Sequence, residues 1–191
     1  MKVIIPVAGI GSKLRPHTHT QPKALVPVAG KPILSHIVDK LLDSGMSDFI
    51  FIVGYLGDKI EAFIREQYPS IKSSFILQEP REGTGHAVWL ARENIQDQDE
   101  LFIALGDTIF DVELGGVLKI KGSALGVKRV DDPRLFGVAE TKQDGSIIRV
   151  VEKPPIPKSN LALVGLYLIR EGKQLMVALD EIIRNNQRLN N

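Results

Sequence analysis

The chain has 191 residues, 43% apolar and 25% charged, enough for one domain with a substantial core and short for two. Its net charge of +1 offers no footing for nucleic acid or an anionic membrane, so any anion must be held by a few placed cations. With no cysteine, thiolate nucleophiles, disulfides and cysteine metal sites are excluded, as suits a cytoplasmic protein.

Residues 2–8 (KVIIPVA) are β-branched, close on Gly9 and predict a buried strand, too short for a signal peptide or a membrane span. Residues 32–44 predict a helix: proline suits its first turn, Ile33, Leu34, Ile37, Val38, Leu41 and Leu42 fall on one face, and Gly45 can cap its end. A strand over 48–53, a helix over 58–67, a strand over 74–78, a helix over 84–94 and a strand over 101–105 follow. Beyond Asp111 the texture turns to strands, over 123–130, 136–142, 146–151 and 161–170, with Gln143-Asp144-Gly145 as a hairpin signal. A helix over 173–183 precedes a polar tail, residues 185–191, without cap or apolar anchor.

Alternating strands and helices imply right-handed crossovers, hence an α/β, Rossmann-like three-layer architecture with a mostly parallel sheet. The strands after residue 111 form a β-rich extension of the same domain. We read residues 1–111 and 112–191 as the two parts of that domain. Ligands of such sheets bind outside the carboxyl ends of the strands, which directs attention to Gly9 onward, Gln78 onward and Gly106-Asp107.

The first of these is Gly9-Ile10-Gly11-Ser12-Lys13-Leu14-Arg15-Pro16. Two glycines let backbone N–H groups approach a phosphate chain, and Lys13 and Arg15 add positive charge. A dinucleotide fingerprint would need a third glycine where Leu14 stands, and a P-loop would need Ser or Thr where Pro32 follows Gly30-Lys31. Pro16, Pro22 and Pro27 hold the next stretch extended, with Lys23 between two of them.

Residues 7–18, followed by Pro22-Lys23-Ala24-Leu25-Val26-Pro27-Val28-Ala29-Gly30-Lys31-Pro32, resemble the opening signature of the sugar-1-phosphate nucleotidyltransferases, which include glucose-1-phosphate thymidylyl- and uridylyltransferases. Residues 78–87 (QEPREGTGHA) resemble the family's base-reading segment, and Gln78 can donate and accept together, as a uracil or thymine edge requires. Leu105-Gly106-Asp107 ends a strand, where a carboxylate suits Mg²⁺ bridging to a phosphate, although an aspartate there also serves as a turn residue. Phe136-Gly137-Val138-Ala139, Val151-Glu152-Lys153-Pro154 and residues 159–167 resemble the sugar-side motifs, with Gly165 leaving room for a ring.

The resemblance implies transfer of a nucleotidyl group from a nucleoside triphosphate, dTTP or UTP, to a sugar 1-phosphate such as glucose 1-phosphate. It implies Lys23 on the α-phosphate, Lys13 and Arg15 on the leaving pyrophosphate, Asp107 on Mg²⁺ and Lys153 on the attacking phosphate. Ala8, Gly9, Gly11, Ser12, Gln78, Gly83 and Thr84 would hold the nucleotide in a nucleotide-binding part, residues 1–111, and Gly137, Glu152, Val164 and Tyr167 the sugar in a sugar-binding part, residues 112–191.

Three departures stand against it. Lys13 replaces the loop arginine, Thr108 follows Asp107 where many members have asparagine, and no Trp-x-Asp-x-Gly motif with the second metal carboxylate follows Tyr167. The reading therefore expects a longer parent chain of the long thymidylyltransferase type. A non-catalytic nucleotide- or sugar-nucleotide-binding module is the alternative, and a dehydrogenase a distant third. The base, the sugar and any homo-oligomer are left open.

Overall fold

The β-branched and amphipathic runs of the first half become strands and helices close to the expected bounds. The computed structural model describes residues 1–185; the end of the polar tail, residues 186–191, lies outside the described residues. In chain order, β1 (Lys2–Pro6) leads into three short 3₁₀ turns at Ser12–Leu14, His17–His19 and Lys23–Leu25. A two-residue hairpin follows, β2 (Pro27–Val28) and β3 (Lys31–Pro32), then α1 (Ile33–Asp43), β4 (Asp48–Val53), α2 (Gly57–Gln67) and β5 (Lys72–Leu77). α3 (Thr84–Leu90) passes into a 3₁₀ turn at Ala91–Asn94, and β6 (Leu101–Ala104) closes the first half. The second half comprises α4 (Leu114–Val117), β7 (Ala124–Arg129), β8 (Gly137–Thr141), β9 (Ile147–Glu152), β10 (Leu161–Ile169) and α5 (Gly172–Arg184).

The sheet has eight strands in two regimes. β5-β4-β1-β6 are mutually parallel, as the alternation of strands and helices requires. β10 then runs antiparallel to β6, and β7, β8 and β9 continue the antiparallel pairing, which is the β-rich extension. The predicted 84–94 helix is regular only to Leu90. The 2–3 hairpin, absent from the sequence expectations, turns on Ala29 and Gly30, both at positive φ, the conformation that a tight two-residue turn needs.

Both faces of the parallel half are covered, and the strand residues sort by parity. Val3, Ile5, Phe49 and Phe51 pack with Leu34, Ile37, Val38, Ile60 and Ile64 of α1 and α2. Ile4, Ile50, Ile52 and Ile103 pack on the other face with Ala87 and Val88 of α3 and Met176 of α5. This gives the three layers, with each fully buried large side chain contributing roughly 1.5–3 kcal/mol of transfer free energy. The carboxyl ends of β1, β5 and β6 are thereby aligned along one rim.

Candidate nucleotide and sugar site

That rim opens onto a cavity of about 650 Å³. Of the residues singled out above, Ala8, Gly9, Gly11, Ser12, Lys13, Lys23, Gln78, Gly83, Thr84 and Asp107 line it. Arg15 does not; it lies exposed just past the 3₁₀ turn Ser12–Leu14. Arg81 lines the cavity as well, a cation to which the sequence reading gave no role.

The two loop glycines do different jobs. Gly9 has φ outside the left-handed region, and a Cβ there would meet nothing within 4 Å, so the backbone stays open to a ligand. Gly11 has φ +67°, and a Cβ there would lie 2.9 Å from Lys23 Cβ and 3.1 Å from the Thr18 methyl. The Lys23 stem therefore lies against the loop backbone, which only glycine permits. Thr18, 1% exposed, donates from its hydroxyl to the Gly11 carbonyl at 2.8 Å and ties the loop to the segment bearing Lys23. Thr18 belongs to the matched signature but was given no role, because its contact is visible only once the loop folds back.

Lys23 Nζ forms an ion pair with Asp107, 84 residues away, with the side chains 33% and 44% exposed. At such exposure the pair is worth at most about 1 kcal/mol. Gly106 brings Asp107 there: its amide donates to the Pro6 carbonyl at 3.2 Å, and a Cβ would sit 2.3 Å from Val7 Cγ1. The end of β6 is thus held tight against the end of β1.

Gln78 is 5% exposed. Its Nε2 donates to the Gly83 carbonyl at 3.0 Å and lies 3.4 Å from His86 Nδ1. Gly83, at φ +92°, caps α3, which starts at Thr84. The stretch from Gln78 to Gly83 is therefore a short loop closed on its own first residue.

The residues expected to hold a sugar lie on the antiparallel half. Gly137 is the register partner of Glu152, and a Cβ on Gly137 would sit 3.0 Å from Glu152 Oε2. Lys153, at φ +41°, sets its Nζ 3.4 Å from Glu152 Oε1, and its amide donates to the Phe136 carbonyl at 3.0 Å. Burial, aided by the Glu152 charge, pushes the Tyr167 hydroxyl above its ordinary pKa. Val164, half-buried, packs against the core cluster that holds Leu166 and Leu168, with a methyl near Gly126. The space beside Gly165 is taken by Leu105, whose Cδ1 would be 2.6 Å from an added Cβ, so this glycine has a packing reason at φ +77°. It also accepts the Leu105 amide at 2.9 Å, joining β10 to the Asp107 turn.

Among the described residues no group of three or more His, Asp or Glu side chains could hold a metal ion. Asp107 alone fits a Mg²⁺ that takes one carboxylate and completes its shell with phosphate and water.

A nucleotidyl transferase family model matches residues 2–188. Bifunctional protein GlmU of Methanocaldococcus jannaschii is 41% identical over 167 residues, 87% of this chain and 39% of its own length. UTP–glucose-1-phosphate uridylyltransferase AglF of Haloferax volcanii is 34% identical over 87% of this chain and 71% of its own. The glucose-1-phosphate thymidylyltransferase of Streptomyces griseus is 37% identical over 88% and 49%. The chain thus spans about two fifths to seven tenths of these relatives' lengths. A Bacillus anthracis structure, provisionally named a glucose-1-phosphate thymidylyltransferase and holding sucrose, superposes with TM-score 0.82 at 30% identity, covering 96% of this chain and 74% of that one. A UDP-glucose pyrophosphorylase complexed with UDP-glucose superposes at TM-score 0.84 over 94% and 79%; at 22% identity it bears on the fold alone.

Proposed function

The chain belongs to the nucleotidyl transferase family, and from that membership we propose that it transfers a nucleotidyl group from dTTP or UTP to a sugar 1-phosphate, glucose 1-phosphate first among the acceptors. The observation that carries the reading is the meeting, in one 650 Å³ cavity, of the glycine loop, Lys13, Lys23, Gln78 and Asp107.

A phosphate oxygen of the sugar 1-phosphate attacks the α-phosphorus in line. The bond from that phosphorus to the β-bridging oxygen breaks, and pyrophosphate leaves with the electron pair. The nucleophile is already an anion, so no covalent enzyme intermediate is needed, and the protein's work is positioning and charge neutralisation. The backbone at Ala8, Gly9, Gly11 and Ser12 cradles the triphosphate. Lys23 neutralises the α-phosphoryl oxygens, Lys13 receives the pyrophosphate, and Lys153 steadies the attacking phosphate. Gln78, Gly83 and Thr84 hold the base; Glu152 accepts sugar hydroxyls, beside Gly137 and Tyr167. Asp107 would hold Mg²⁺, which supplies charge neutralisation at the phosphates.

A binding module without catalysis is the second reading, favoured by Asp107 being the single carboxylate among the residues that line the cavity. Incubation with glucose 1-phosphate, Mg²⁺ and UTP or dTTP, followed by a pyrophosphate assay, separates the two. Pyrophosphate matched by nucleotide-sugar supports transfer. Metal-independent nucleotide binding without pyrophosphate, with UTP, dTTP and GTP alike, leaves the module standing.

A further inference from the structure

The Gln78 amide carries two hydrogens and one acceptor oxygen, and the chain constrains the hydrogens. One is donated to the Gly83 carbonyl at 3.0 Å. That contact fixes the orientation of the amide, since a flipped amide would set oxygen against oxygen. The second hydrogen has His86 Nδ1 as its neighbour at 3.4 Å. The imidazole is held in place, its ring stacked on Trp89 with centroids 5.7 Å apart, and Trp89 in turn donates to Asp180 of α5 at 3.1 Å. A hydrogen on Nδ1 would oppose the Gln78 N–H, and Glu82 Oε2, at 3.9 Å from Nδ1, is too far to accept it. Nδ1 therefore carries the lone pair.

Gln78 Oε1 accepts no hydrogen bond from the described residues, and no fully buried side-chain polar atom among them lacks a partner. Oε1 thus keeps access to the space that Gln78 lines. Resting on the nucleotidyl-transfer reading above, we propose that His86 is a positioning residue for base selection. It and the Gly83 carbonyl occupy both Gln78 hydrogens, so that Gln78 meets the base with an acceptor only, and not as the joint donor and acceptor that the residue type alone allows. A base with a ring N–H, such as uracil, thymine or guanine, satisfies that oxygen. Cytosine and adenine present a ring acceptor there and leave two lone pairs facing one another.

The test compares UTP with CTP, measured by calorimetry on the 191-residue chain with Mg²⁺ present. The wild type prefers UTP. His86→Phe keeps a ring against Trp89 but removes the acceptor, and narrows the UTP-to-CTP preference on the order of fivefold, the worth of one hydrogen bond. His86→Asn, whose side-chain oxygen can stand in for Nδ1, keeps the preference within about twofold of wild type. An unchanged preference in His86→Phe overturns the proposal. So does equal weakening of both nucleotides, the mark of a merely structural role. Nitrogen-15 NMR of wild-type His86 is independent of any variant's folding: an unprotonated Nδ1 is expected, and an Nδ1–H signal refutes the proposal. Wild type that binds neither nucleotide fails at the earlier step and sinks the nucleotidyl-transfer reading itself, whereas binding without a His86 effect sinks only this one.

Discussion

Replacing Gly11 and Gly9 by alanine, separately, tests whether the loop is built as described. At Gly11 the left-handed φ of +67° costs an L-residue about 1–2 kcal/mol. The new methyl also meets Lys23 Cβ at 2.9 Å, an atom next to the backbone that cannot swing away, which adds overpacking of about 1–3 kcal/mol. Reduced freedom of the unfolded chain returns about 0.4–1 kcal/mol. The net loss is about 3 kcal/mol, which for a chain of this size lowers Tm by about 6–12 °C. Because Lys23 must move, UTP binding weakens too. At Gly9 no strain and no contact arise, so Gly9→Ala leaves Tm level or slightly higher and weakens only nucleotide binding, where its methyl meets the phosphates. Reversible thermal scans and UTP titrations of both variants decide the matter. A Gly11→Ala protein that melts within about 1 °C of wild type, or a Gly9→Ala protein that falls as far, would refute the reasoning.

Lys23→Ala removes one partner of an ion pair that is a third or more exposed, so stability changes by less than about 1 kcal/mol. Pyrophosphate release should nevertheless fall by about 10²–10³-fold, the usual cost of losing one transition-state charge donor. Thr18→Val keeps the shape but removes the 2.8 Å hydroxyl donor to the Gly11 carbonyl, which keeps the Leu14 amide at 2.9 Å; a loss of about 1 kcal/mol, rescued by Thr18→Ser, is expected in urea titrations. Tyr68 has its pKa pushed up to about 12 by burial, with the Asp39 carboxylate adding to the rise. The folded state then holds that proton more tightly than the unfolded state, so the contribution is complete below pH 10 and is lost as pH rises toward 12. Tyr68→Phe should flatten the decline in stability between pH 10 and 12, and an unaltered slope would count against this assignment.

The strand and helix pattern was legible because the parallel half is buried on both faces, so its strands read as unbroken apolar runs and its helices as one-sided stripes. The bounds of β4 were read to the residue, while the 84–94 helix gave way to a 3₁₀ turn after Leu90. Most of the expected nucleotide-side residues share one cavity because each stands just past the carboxyl end of a strand. Arg15 and Val164 depart for local reasons. Arg15 follows a tight turn that leaves it exposed, and Val164 shares the parity of Leu166 and Leu168, which sets it against their core cluster.

By itself the sequence determined the layers and the chemical inventory: a glycine loop, fixed lysines, a lone carboxylate at a strand end and a glutamine beside a glycine. Those follow from local pattern, which the chain carries residue by residue. The tertiary structure alone decided that Lys23 meets Asp107, that Gly11 exists to seat the Lys23 stem and that His86 and Gly83 occupy the Gln78 amide. Such pairings depend on sheet register and on side-chain directions across loops. Both are set by the packing of the whole core, which no short stretch of sequence contains.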